Sequence, residues 1–527
     1  MALSHRREFL EDVGRGMLVA SVGSALALDL GLGTVRADEE PKALTFGDLE
    51  PLVALLQETP AAKLLPVLAA KQKDGLTLRT LTTAAALANA RTFGGEDYFG
   101  FHTFMALAPA YQMAQELPKG EQPLPVWKVL YRNAHYTEKV GGRAKEVLKP
   151  IPANEIPAEK LTPEEVRKAV NSGSGSKAER ALAAMGRQSP EDMLNSAILG
   201  VEDNHDVHSA VMPWRAWTML DFVGRDHALT MLRQSVRQCA KRCHDSRAKP
   251  EDVARARAVL PKLLDQHKLL GGPAGKREAD DAWIDKLAQT IYTSKPEAAG
   301  DAVAAALAEG FSPEHVGEAI SVASNQLVLR QTANWGANYG KRTHGDSPGV
   351  HASDATNAWR NMARVSNPRN RAAGLILAAM NVAGSSDWAL HTKPPGMEAE
   401  SYPHAEHLEA VKSKDPAELL KQLDGAVREN DQLRACALVH TYGKAGHESR
   451  PVFDLLLRYA VSEDGRLHAE KFYRTACEEF ATTRPSLRWR QLVALARVSA
   501  SSYGFSQSDK KEGRAPGYEE SRRLLGV

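Results

Sequence analysis

"SPEDMLNSAILGV", Ser189 to Val201, sets a hydroxyl residue, a proline and two acids ahead of an apolar run. That order is a helix start. A serine hydroxyl can accept from a first-turn N–H that lacks an intrahelical partner, proline has no N–H to leave unpaired, and acids suit the positive end of the helix dipole. The same order recurs at Thr162-Pro163-Glu164-Glu165, Ser294-Lys295-Pro296-Glu297 and Ser312-Pro313-Glu314. Apolar residues recur with a period near 3.6, and no sustained alternation of period two is found. The chain is therefore expected to be all-α, a multi-helical bundle or irregular helical array with no significant β-sheet. Helices are expected near Gly47 to Glu58, Ala61 to Lys73 and Leu76 to Arg91, then from Ser189 to the C-terminus. No strict repeat of about 30 to 45 residues marks a regular solenoid.

With 527 residues, 43% hydrophobic and 25% charged, the chain is long enough for more than one core. Lys plus Arg (67) nearly balance Asp plus Glu (65), and no basic block interleaves with aromatics, so nucleic acid is not an expected partner. Proline and glycine punctuate residues 118–176 with "PKGEQPLP", "LKPIPANEIPAEKLTP" and "NSGSGS". From this we expect an N-terminal helical lobe over 38–145, a linker or wrapping segment over 146–188 and a main helical lobe over 189–527.

Residues 1–37 carry a second kind of signal. Arg6-Arg7 precede Glu8-Phe9-Leu10, a weakly apolar stretch runs from about Met17 to Leu32, and Val35-Arg36-Ala37 offers small residues where a signal peptidase reads. The segment resembles a twin-arginine export signal, with His5 standing where Ser is usual. The resemblance implies the twin-arginine machinery and signal peptidase as partners, a mature chain from Asp38, a periplasmic address, and folding, often with cofactor loading, before export. Past Ala37 no run of about 18 apolar residues occurs, so no stable membrane span is expected after processing. Folding in a reducing compartment leaves the four cysteines without need of disulfides; Cys239 and Cys243, one helical turn apart, read as packing thiols.

Histidines supply the candidate chemistry. Three segments place Met eleven residues after His, with an aromatic shortly before it: His102 with Tyr111 and Met113, His208 with Trp217 and Met219, and His351 with Trp359 and Met362. Eleven residues are about three helical turns, so each Met falls on the stripe headed by its His, as do Ala106, Met212 and Ala355. Pro109 and Pro213 are expected to kink the first two helices. If these stripes face inward, the imidazoles line one end of a cavity suited to a small organic ligand; if not, they are packed core residues.

In "VEDNHDVHSAVMPWRAW", Val201 to Trp217, Glu202, His205 and His208 stand three apart. With a distant histidine, His205 and His208 together with Glu202 or Asp206 would furnish the ligand types of a non-haem iron or other divalent metal site, provided the helix unwinds enough for Glu202, His205 and His208 to converge. No Cys-x-x-Cys-His occurs for covalent haem attachment. Further on, His344, Asp346, His351 and Asp354 pass through a Gly/Pro turn into a helix that Ser347 can cap. His468, Lys471 and Glu478-Glu479 follow one another on successive turns of "LHAEKFYRTACEEF", and His440, Tyr442, Lys444 and His447 gather in "ALVHTYGKAGHES".

"FHTFMALAPAY", "VHSAVMPWRAW", "GVHASDATNAW" and "LHAEKFYRTACEEF", in this order over residues 90–490, resemble the questin oxidase-like family. The resemblance implies a helical fold, oxygen-dependent cleavage of quinone-type aromatic rings with a nicotinamide cofactor, and a pocket formed by His102, His208, His351, His468 and Lys471. The chain departs from this pattern in showing no Gly-rich strand–turn–helix for a dinucleotide, and an exported protein would meet little nicotinamide cofactor. A shorter stretch, "LAEGFSPEHVGEAISVA", is similar to the opening of a carboxymuconolactone decarboxylase-like unit but lacks the Cys-x-x-Cys of its peroxidase branch. The expectations are thus an exported oxidoreductase with a His-lined cavity or, alternatively, a helical binding or scaffold protein of the cell envelope.

Overall fold

Helices begin where capping side chains place them. In the computed structural model, which describes residues 43–159, 161–204, 206–243, 250–332, 343–391, 396–505 and 513–527, Ser189 Oγ accepts from the Asp192 N–H at 3.1 Å and opens the Pro190–Val201 helix. Thr162 and Glu165 form a reciprocal capping box ahead of Pro163–Asn171, in which the Thr162 N–H reaches Glu165 Oε2 at 2.7 Å. Ser312, Ser347 and Asp415 cap in the same way. At Pro296–Ala308 the cap position falls to Lys295 rather than Ser294, because proline takes the first helical position and the residue before it becomes the boundary.

The chain is all-α. Among the described residues there is no strand, only the isolated bridges Arg277–Phe311 and Gln331–Met397. The first expected helices appear as Glu50–Glu58 behind a 3₁₀ turn, as Ala61–Lys73, and as Leu78–Phe93. The last starts two residues later than expected because Thr77 caps it, accepting from the Thr80 N–H at 3.1 Å. Pro109 and Pro213 lie inside the helices Tyr98–Glu116 and Val207–Thr218, which continue past them. No helix among the described residues is long and apolar enough to cross a membrane. Arg6, Arg7 and Ala37 lie outside the described residues.

Two compact units divide the chain. The first comprises Met1–Ala108, Val129–His205 and Met212–Val253; the second comprises Pro109–Lys128, Asp206–Val211 and Ala254–Val527. This differs from the expected division at 145 and 188. The Pro/Gly-rich stretch 146–188, expected to link or wrap, lies within the first unit. It forms the helices Pro163–Asn171 and Gly175–Met185, which bury Val166, Val170, Ala178 and Leu182. Its prolines and glycines mark helix ends: Pro163 opens one helix, and Gly173, at φ +75°, turns the chain before Ser174 caps the next.

The first unit is held by buried arginines as well as apolar packing. Arg91, fully buried, donates to the Leu44 carbonyl at 2.6 Å and to Glu50 at 2.8 Å, and lies 3.1 Å from Glu146. Arg237 pairs with Glu179 at 2.7 Å and with Glu96 at 2.5 Å. In the second unit the core runs through Leu423, Val439, Leu456, Tyr473 and Leu495, one from each of the helices Pro416–Arg428, Gln432–Lys444, Arg450–Ser462, Ala469–Thr482 and Trp489–Ser502. Beside them pack Pro313–Arg330, Pro348–Val365 and Pro368–His391.

Candidate histidine centre

Within the second unit three of the singled-out histidines come together. His208 stands at the start of Val207–Thr218, His351 in the first turn of Pro348–Val365, and His468 at the residue before Ala469–Thr482. His351 Nε2 lies 2.9 Å from His468 Nε2. The His351 ring is centred 4.6 Å from that of His468 and 5.5 Å from that of His208. His208 and His468 each offer a ring nitrogen within 4.8 Å of the other's. His208 and His468 are buried, while His351 is partly exposed.

Local backbone aims each ring. Asp206 caps the helix that follows it: its carbonyl accepts from the Ala210 N–H at 2.9 Å, and its Oδ1 accepts from the His208 N–H at 3.0 Å and from His208 Nδ1 at 3.1 Å. At His468 the chain makes a strained turn. Arg466 and Leu467 both hold positive φ, +54° and +73°, although neither is glycine; such residues cost roughly 1–3 kcal/mol each and persist only where surroundings over-determine them. Here the Asp464 carboxylate accepts from the Leu467 N–H at 2.5 Å. The turn also brings the Arg466 carbonyl to 2.8 Å from His468 Nδ1. Gly345 packs so closely on this turn that a Cβ there would lie 2.5 Å from the Gly465 carbonyl oxygen. The Pro348–Val365 helix meets its cap at Ser347, whose hydroxyl accepts from the Val350 N–H at 3.3 Å.

Those partners fix the protons. A carbonyl only accepts, so His468 carries its proton on Nδ1 and presents the Nε2 lone pair; Asp206 imposes the same tautomer on His208. With both rings neutral, the contact at 2.9 Å then requires His351 to donate from Nε2 to His468 Nε2. Nitrogen lone pairs set by a hydrogen bond on the opposite ring atom are what orient metal-ligating histidines. They serve equally for proton transfer.

Below the histidines, the facing helices Pro348–Val365 and Ala469–Thr482 carry a ladder of buried polar pairs. Thr475 Oγ1 donates to Asp354 at 2.8 Å, Asn357 donates to Glu479 Oε1 at 3.0 Å, Arg360 pairs with the other Glu479 oxygen, and Asn361 donates to Glu478 at 3.0 Å. The start of the second helix is clamped by Lys128, whose Nζ donates to the carbonyls of Ala460 and Glu463 at 2.6 and 2.7 Å and lies 3.0 Å from Glu470. A small, largely apolar cavity of about 30 Å³ touches His468, Ala469 and Phe472. It has room for a water or two, or a diatomic molecule.

The remaining sequence-expected residues fall as follows. Lys471 is buried one turn past His468. His102 belongs to the first unit, buried in Tyr98–Glu116, with Nδ1 2.6 Å from the Tyr98 carbonyl oxygen and its ring against Tyr98 and Phe101. The stripe residues Ala106, Met113, Met212, Met219, Ala355 and Met362 are all buried. His205 lies outside the described residues. The single-helix phase assumed for Glu202, His205 and His208 is corrected: the first helix ends at Val201 and the next begins at Val207, because Asp206 caps it. Glu202 is buried in the first unit beside Asp203, which accepts two hydrogen bonds from the Arg167 guanidinium at 2.7 and 2.8 Å. Asp203, with Glu202 adding a weaker field, raises the Arg167 pKa. Among the described residues Cys239, Cys243, Cys436 and Cys477 form no disulfide.

Arg466 and Lys128 were not singled out from sequence, and Asp206 was singled out only as the carboxylate alternative to Glu202, not as the partner that orients His208. That role was findable, since an acid two residues before a helical histidine is a helix-capping position. The Arg466 carbonyl and Lys128 were not: one is a backbone atom positioned by an unusual φ, and the other is more than 330 residues from its partners. Comparison of the chain with known protein families, curated proteins and solved structures finds no match.

Proposed function

We propose that the protein is an exported oxidoreductase whose His208, His351 and His468 hold a divalent first-row metal, iron foremost, and act on a small phenolic or quinone-like substrate. The observation that carries this reading is the orientation of the lone pairs. His208 and His468 spend their Nδ1 protons on Asp206 and the Arg466 carbonyl, which leaves the Nε2 lone pair of each ring available, that of His468 facing His351. Imidazole donors suit iron, copper, nickel and zinc, and three of them leave coordination positions open for a substrate. The metal, when bound, supplies Lewis acidity toward a phenolic oxygen and one-electron chemistry toward dioxygen. The chain's own part is to hold the rings: Asp206 and the strained 466–467 turn orient two of them, and Ser347 and Lys128 fix the helices that carry His351 and His468. His351 must move its proton from Nε2 to Nδ1 as it becomes a ligand. Its partial exposure provides the approach for a ligand larger than the 30 Å³ cavity admits. The nicotinamide cofactor has no part in this reading.

A second reading rests on the 2.9 Å contact itself. Two imidazoles sharing one hydrogen form a proton relay without metal, suited to deprotonating a phenol or enol near neutral pH. Protein purified without a histidine tag and titrated anaerobically with ferrous iron separates the two. About one equivalent bound, and lost in His208→Ala/His468→Ala, supports the metal centre; no difference between the proteins sinks it and leaves the relay. Export is tested separately: Arg6→Lys/Arg7→Lys should retain the protein in the cytoplasm, and a processed N-terminus at Asp38 in that variant would refute the signal.

A further inference from the structure

A second histidine group lies in the connection between the helices Pro368–His391 and Pro416–Arg428, also in the second unit. His404, Glu406 and His407 belong to the six-residue helix Ala405–Ala410 and its preceding cap. Each offers a ligand atom, a ring nitrogen or a carboxylate oxygen, and the three atoms lie within 4.8 Å of one another. From this group we infer a second metal site, one of zinc type, that braces the short Ala405–Ala410 helix and its cap within this connection.

Three observations support it. First, His404 Nε2 and His407 Nδ1 are both shielded from solvent and neither has a hydrogen-bond partner. A buried polar atom left unmade is costly, and two of them on neighbouring rings call for a shared partner. Second, the rings are already positioned. His404 stacks on Tyr402 with centroids 4.2 Å apart and planes 14° from parallel. Tyr402 is anchored in turn: its N–H donates to the Leu329 carbonyl at 2.9 Å, and the Arg497 guanidinium lies 4.5 Å from its ring centre. The His407 N–H donates to the His404 carbonyl at 3.1 Å, which brings the second imidazole one turn above the first. Third, the Ala405–Ala410 helix buries none of its residues, so apolar packing does little to hold it. A metal brace supplies what its missing core does not.

The donor set decides the metal class. Two imidazoles and a carboxylate, with positions left to water, match the donor set of a tetrahedral zinc site with Zn–N near 2.1 Å; its ligand atoms stand about 3.4 Å apart, so the three here, now within 4.8 Å of one another, would draw together on binding. Glu406 Oε1 lies 3.7 Å from His407 Nε2.

The test uses the full chain, zinc alone, and competition against a chromogenic chelator, with hydrogen exchange of residues 402–411 as a second readout. The expected results are that wild type binds zinc with a dissociation constant below about 1 μM, that the ion slows exchange across that segment, and that His404→Ala/His407→Ala loses one equivalent and the slowing. Glu406→Gln keeps both rings and changes only an exposed side chain, so it should fold normally and weaken binding by about tenfold or more. Changing His208 and His468 instead should leave this zinc equivalent in place. The inference is overturned if His404→Ala/His407→Ala binds as much zinc as wild type, or if zinc leaves exchange of 402–411 unchanged.

Discussion

The interface between Pro348–Val365 and Ala469–Thr482 ends in two different ways. At one end Arg360 and Glu479, each about 3% exposed, form a buried ion pair that Asn357 completes. At the other, His351 Nε2 meets His468 Nε2, and His468 Nδ1 faces the Arg466 carbonyl. The first end has its charge answered by an opposite charge. At the second, imidazole meets imidazole beside a helix start capped by Ser347 and a strained turn at 466–467. One end of the same helix pair is thus closed by an ion pair and the other by a contact between two imidazoles.

The largest expected effect breaks the ionic end. Glu479→Ala leaves Arg360 buried without its counter-charge, a loss of about 3–5 kcal/mol that a urea midpoint would register. A loss of no more than about 0.5 kcal/mol, the size of an ordinary surface change, would show that this end does not anchor the interface. Breaking the other end should cost less in stability and more in function: His468→Ala is expected to lower stability by about 1–3 kcal/mol while abolishing ferrous-iron binding at the centre. Should the variant bind iron as wild type does, the two ends would be alike in being merely structural.

The smallest expected effect lies outside the interface and serves as its reference. Burial first, and then the positive charges of Lys444 and Arg490, lower the His440 pKa. His440 therefore stays neutral in the fold at a pH where the unfolded chain, with a value of about 6.5, takes up a proton. Its contribution to stability is full above about pH 6.5 and is lost as pH falls through the lowered folded value. His440→Gln should flatten that acid limb, and an unchanged limb would assign the titration to other groups.

Much of the fold was legible in capping chemistry. Ser189, Thr162, Ser312 and Ser347 announce their helices because an unpaired first-turn N–H needs an acceptor, and only a few side chains supply it within three residues. In the 146–188 stretch prolines and glycines stand at helix boundaries, which they mark as readily as a loop. The stripes headed by His208 and His351 were legible from helical period, and their Met and Ala residues are buried. That His208, His351 and His468 meet was legible only as an expectation.

What the sequence by itself determined is local: the helical class, most helix starts, and which faces turn inward, since period and capping act over a few residues. Only the tertiary structure decided which helices meet. Lys128 reaching Glu470, and His351 reaching His468 across 117 positions, depend on how whole helices pack. So does the direction of each imidazole proton, because the acceptors that set it are a carboxylate at a helix cap and a backbone carbonyl in a strained turn.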